Sequence, residues 1–136
     1  MSRRIETPAP ASGRRLLTSL TEDYDAKPPV FSLERLVDGD YCLSGLTAGE
    51  QADFANAIFK RRKITWKELK SVHRHRLGFE KIEKAAIKTR LPQCITEDAA
   101  TLLAFRFSAK KPMVGYRVQN IFYVLWFDSK FKLYSH

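Results

Sequence analysis

In the run His73-Arg74-His75-Arg76, imidazoles that titrate near neutral pH alternate with guanidiniums that grip phosphate through paired hydrogen bonds. The run offers a proton donor or acceptor beside an anion clamp, and it would serve equally well as a solvated basic turn. Adjacent helical positions point in different directions, so one imidazole at most faces a given site. His75, nearer the Leu77-Gly78 break, is the better placed. The third histidine, His136, follows Tyr134 at the end of a β-like run and is the second candidate proton carrier. Tyr116, Tyr123 and Tyr134 read either as ordinary sheet-face aromatics or as groups that stack bases and orient a ribose hydroxyl. Arg106 and Arg117 lie within apolar strand patterns, where an unpaired charge is costly to bury. They must pair with acids such as Glu80 or Asp98, or line a phosphate site.

The missing motifs narrow the chemistry. The sequence has no phosphate loop of the Gly-x-x-x-x-Gly-Lys type, no dinucleotide fingerprint, no His-Glu-x-x-His, no Gly-x-Ser-x-Gly and no clustered carboxylates for two-metal work. Metal-free acid–base chemistry, or binding alone, is left, and no cofactor is expected. Cys42 and Cys94 lack the spacing of a zinc site or disulfide framework and read as buried free thiols.

The formal charge is +9, from 24 Lys and Arg against 15 Asp and Glu. Its placement says more than its size. Lys60 to Arg90 holds 12 basic and 3 acidic residues, which accounts for the whole excess. Focused charge of this kind concentrates a polyanion, so Arg61, Arg62, Lys63, Lys67, Lys70, Arg74, Arg76 and Arg106 are the candidate nucleic-acid contacts. No stretch approaches the roughly 20 apolar residues of a membrane span, and the first residues lack a secretory signal's apolar core, so a cytoplasmic protein with no membrane partner is expected.

These residues must be positioned by one domain, the usual content of a chain of 136 residues. Residues 1–30, with Pro8, Pro10, Pro28 and Pro29 and little periodicity, read as a flexible amino-terminal arm, and residues 31–136 as a single α+β domain. Thr47-Ala48-Gly49-Glu50 is a capping box that predicts a helix from about 48 to 61, with Phe54, Ala55, Ile58 and Phe59 on its apolar stripe. Thr65-Trp66-Lys67-Glu68 predicts a second, short helix with Trp66, Leu69 and Val72 inside and Lys67, Lys70 and Arg74 outside. Phe79 to Ile87 suits one strand and a turn. Four β-rich runs follow, Thr101–Ser108, Met113–Val118, Ile121–Phe127 and Phe131–Tyr134, read as an antiparallel meander. The expected fold is α+β, two or three helices packed on a four-stranded, mainly antiparallel sheet.

Turn lengths assign the faces. A two-residue loop at Gln119-Asn120 sets Tyr116 opposite Tyr123 and Arg117 opposite Phe122. With Ser129-Lys130 as the next loop, one face gathers Tyr116, Tyr123, Tyr134 and His136 with Lys132 beside them. The other gathers Arg117, Phe122, Val124, Trp126 and Leu133, and Arg106 if Ala109–Pro112 closes a simple hairpin.

Capped helices carrying a basic run, then a meander with Met113-Val-Gly-Tyr-Arg-Val118 and a closing Tyr-Ser-His, resemble the small RelE/HigB-like toxin ribonucleases of bacterial toxin–antitoxin pairs over about residues 45–136. The resemblance implies helices on one sheet face and an RNA-cutting site on the other. By position it implicates Lys67 or Lys70, Arg106, Arg117, and Tyr134 with His136. It also implies an RNA substrate, free or on the ribosome, and an acidic antitoxin partner. The long amino-terminal arm and the His-Arg-His-Arg turn depart from that pattern.

The resulting expectation is a metal-independent endoribonuclease, with His75, His136, Arg117 and Tyr134 as catalytic residues. A base takes the 2′-hydroxyl proton, that oxygen attacks the adjacent phosphorus, cations offset the growing charge, and an acid protonates the leaving oxygen. A non-catalytic nucleic-acid-binding module and an adaptor for an acidic protein are the alternatives.

Overall fold

A computed structural model describes residues 22–72, 76–95 and 101–136. Five strands, β1 (Val30–Ser32), β2 (Phe79–Glu83), β3 (Thr101–Ser108), β4 (Lys111–Val118) and β5 (Ile121–Phe127), form one mixed sheet in the order β1-β5-β4-β3-β2. Two α-helices, α1 (Ala48–Lys60) and α2 (Trp66–Leu69), pack on one face. The α+β class matches expectation, and the sheet differs in number and sense of strands. Phe131–Tyr134 is not a strand, β2 joins β3 antiparallel, and β1 adds to β5 in parallel. The fourth meander strand fails because Asp128 captures the segment first: its carboxylate accepts the Lys132 and Leu133 amides at 2.8 and 3.1 Å, bending the chain across the sheet.

The boundary expected at residue 30 falls inside β1, and residues 22–30 contribute to the fold. The Lys27 carbonyl accepts the Trp66 amide at 3.0 Å, satisfying one of the donors left open at the start of α2. Asp25 bridges Lys70 and Arg117, each at 2.6 Å. Both capping boxes form as expected, Thr47 with Glu50 and Thr65 with Glu68. The buried stripe of α1 differs, consisting of Phe54, Ala57, the half-buried Ile58 and Arg61, while Ala55 is exposed and Phe59 is 57% exposed. The spacing 54, 57, 58, 61 is a regular helical stripe whose last member is an arginine.

Phe54, Trp66, Leu69, Phe105, Phe107, Met113, Phe122, Val124 and Phe127 make the core between helices and sheet. The second core, beneath irregular segments on the opposite face, holds Ile82, Leu102, Val114, Tyr116, Tyr123, Leu125, Trp126, Leu133 and Tyr134. Tyr116–Tyr123 and Arg117–Phe122 pair as the hairpin turn predicts. Trp126 and Leu133, expected beside Arg117, lie in the second core instead. The cause is a bulge: Gly115 pairs with Val124 and Val114 with Trp126, so Leu125 is the extra residue and the faces of β5 exchange after it. The Leu125 carbonyl is taken up by the Val37 amide at 3.0 Å.

Candidate active site at the Tyr134–His136 end

His136 is placed by a carboxylate. Its Nε2 lies 3.0 Å from Oδ2 of Asp128, a wholly buried side chain already held by two backbone amides. An ionised carboxylate only accepts, so this contact places a hydrogen on Nε2 and leaves the Nδ1 lone pair to take a proton. The ring stacks obliquely on Tyr134, with centroids 4.1 Å apart, and meets the edge of Phe131 at 5.1 Å. Phe131 has φ +56°, a conformation bulky residues rarely adopt, so backbone strain is concentrated against this imidazole. His136 keeps 28% of its side chain exposed.

Tyr134 and His136 open onto a cleft of about 380 Å³ that also presents Glu80, Arg106 and Lys110. One carboxyl, one imidazole, one phenol and two cations thus line one concavity, the set of groups that proton transfer at a phosphodiester calls on. Arg106 reaches it through an irregularity. Ser108 pairs with Lys111 across a two-residue turn in which Ala109 has φ +52°, and a register shift follows between Arg106 and Ser108. Arg106 therefore pairs with Pro112 and takes the face of Tyr116, not that of Arg117 as a simple hairpin requires.

The structure does not bring Arg117 to this cleft. Arg117 extends on the helix face, its guanidinium 4.4 Å over the Trp66 ring and bound to Asp25, so a catalytic role beside Tyr134 has no support from the geometry. Lys70 is tied to the same Asp25. The two bonds, Lys70 foremost, hold the Asp25 carboxyl below the usual carboxylate range. His75 and Arg74 lie outside the described residues, as does Asp98.

Arg61, expected to contact nucleic acid, is 1% exposed. It donates to the carbonyls of Leu77 at 2.8 Å, Ala57 at 2.9 Å and Arg106 at 3.4 Å, and lies 4.9 Å over the Phe105 ring. Burial lowers its pKa to about 10, which leaves it charged at neutral pH. It is a structural cation that closes the α1 stripe. Arg62 folds back over Phe59 at 3.8 Å, while Lys63, Lys67 and Arg76 are exposed as a nucleic-acid contact requires.

No family model, curated protein or solved structure matches this chain.

Tyr116 and Tyr123 are unavailable as a base-stacking platform. Both are buried and stacked on one another, with Arg35 lying 3.9 Å over Tyr123 and its Nη1 bound to the Tyr116 hydroxyl. Cys42 and Cys94 are free, and both are half-buried where full burial was expected. Among the described residues no three His, Cys, Asp or Glu side chains converge as a metal-binding set. No helix among them is long and apolar enough to cross a membrane.

Glu80, Lys110 and Asp128 were not singled out as site residues by sequence. For Asp128 a signal exists: an Asp that ends a β-rich run and precedes Ser129-Lys130 is apt to bond backbone amides ahead of it, which competes with a further strand. Glu80 and Lys110 gain meaning only from the cleft that assembles them.

Proposed function

We propose that this chain is a metal-independent endoribonuclease, toxin-like in character and acting on RNA in the cytosol. The observation that carries the proposal is the cleft in which His136, oriented by buried Asp128, stands with Tyr134, Glu80, Arg106 and Lys110. His136 takes the 2′-hydroxyl proton through Nδ1. The freed oxygen bonds to the adjacent phosphorus, the bond to the 5′-oxygen breaks, and the Tyr134 phenol protonates that oxygen. The products are a 2′,3′-cyclic phosphate and a 5′-hydroxyl. Arg106 and Lys110 offset the charge gathering on the phosphoryl oxygens. Helices on one face and this cleft on the other also agree with the resemblance to the RelE/HigB-like toxins, whose partner would be an acidic antitoxin.

The test is cleavage of RNA by the purified protein in EDTA, with and without ribosomes, comparing wild type with His136→Ala. Cleavage leaving cyclic or 3′-phosphate ends, lowered about a hundredfold or more in the variant, supports the reading. Full activity in the variant would remove His136 from it. Binding of RNA with no cleavage under any condition would favour the non-catalytic binding module, which uses the same exposed basic residues.

A further inference from the structure

β2 covers β3 only as far as the Phe79–Phe105 pair, so among the described residues no strand covers the end of β3 from Arg106 to Ser108. On the helix side of that edge is a groove of about 570 Å³, separate from the His136 cleft but sharing Arg106 with it. Among the described residues Lys60, Arg61 and Arg76 line it beside the backbone of Arg106, whose carbonyl accepts from Arg61, three cations against the single carboxylate of Asp53, which is occupied by the Ser108 hydroxyl at 2.6 Å. Among the described residues no carboxylate forms a salt bridge with Lys60, Arg76 or Arg106, and Arg61 satisfies its donors on carbonyl oxygens, leaving its charge unneutralised. A concave site with this excess of charge is built for a polyanion.

The geometry points to this groove as a second phosphate subsite, holding the backbone of a single-stranded nucleic acid that continues past the His136 cleft over Arg106. The inference rests on the nucleic-acid reading above and extends it. Exposed Lys60 and Arg76 supply the direct contacts, the Arg106 backbone marks the border between the subsites, and Arg61 contributes charge without touching the ligand. The groove, and not the basic run at large, then sets affinity for strands long enough to reach it.

The experiment measures binding of a fluorescein-labelled oligodeoxynucleotide, which lacks the 2′-hydroxyl and cannot be cut, by anisotropy across a salt series. The wild type is compared with Lys60→Gln/Arg76→Gln and with Lys63→Gln/Lys67→Gln, which removes equal charge outside the groove. The log–log salt slope should fall by about 1.4 in the first variant, at about 0.7 per lost contact, and by less than half of that in the second. Cleavage of an RNA dinucleotide, too short to leave the His136 cleft, is measured alongside on the wild type. Equal slopes in the two variants, or no change in the first, would overturn the subsite while leaving the cleavage reading untouched. A wild type that cuts nothing, with the slope change as stated, would remove the ribonuclease reading and keep the subsite. Lys60 and Arg76 are exposed and form no salt bridge among the described residues, so thermal melting should be unaltered and a lost contact is not confused with unfolding.

Discussion

The Oδ2 atom of Asp128 receives both the Leu133 amide, at 3.1 Å, and the Nε2 of His136, at 3.0 Å, so one oxygen fixes the course of the terminal segment and the orientation of the imidazole. Asp128→Asn should lower kcat for RNA cleavage about a hundredfold or more by allowing the opposite tautomer, with KM little changed. In a His136→Ala background the same substitution should have no further effect on rate. Additive losses in that double variant would mean that Asp128 acts other than through the ring.

Arg61→Ala should destabilise the protein by about 2–4 kcal/mol, because carbonyls of Leu77 and Ala57 lose their donor inside the core. Arg61→Leu should also be destabilising, since the acceptors remain. Urea denaturation gives the size of the loss. A near-normal unfolding free energy combined with weakened RNA binding would return Arg61 to the surface role that its place in the basic run suggested.

Gly115 lies where β4 passes the bulge of β5, and a Cβ there would fall 1.8 Å from the Tyr123 carbonyl oxygen and 3.1 Å from the Phe122 ring. Backbone cannot yield as a flexible side chain does, so Gly115→Ala should cost more than about 3 kcal/mol or prevent folding. Expression of a variant with unchanged melting would show that the bulge is placed wrongly.

Asp25 carries a pH dependence. Lys70 and Arg117 lower its folded pKa, so its stabilisation is complete above the unfolded value near about pH 4 and fades as pH falls through the folded value. The carboxylate is about one-third exposed, which limits the effect. Asp25→Asn should lose about 0.5–1 kcal/mol at neutral pH. At about pH 2 it should melt like the wild type. An unchanged difference between the two proteins across that range would exclude an ionic origin.

The local features were readable from the chain alone, because the information lies within a few residues. The Thr47–Glu50 and Thr65–Glu68 boxes and the two-residue turn that sets Tyr116 against Tyr123 are of this kind. Arg61 was misread because charge implies solvent until the 54, 57, 58, 61 stripe is preferred to one that ends on Phe59. The two register shifts, at Arg106–Ser108 and at Leu125, leave no mark in alternation patterns yet decide which residues share a face. They put Arg106 in the His136 cleft and Trp126 away from Arg117. The pairing of β1 with β5 was out of reach, since a three-residue strand has too short a pattern to announce a distant partner.

The parallel addition of β1 to β5 has a consequence for how the molecule comes into being. Val30 pairs with Ile121, and nearby Asp25 meets Arg117, 92 positions later. Closing so long a loop is entropically expensive before any contact rewards it, and chains dominated by such pairings fold slowly. During synthesis β1 emerges early and stays without its neighbour until β5 has left the ribosome, whereas the β3–β4–β5 hairpins can form as they appear. The His136 cleft joins Glu80 of β2 to Arg106 and Lys110 of the β3–β4 hairpin and to Tyr134 and His136, so it too cannot close until the segment that follows β5 has been made.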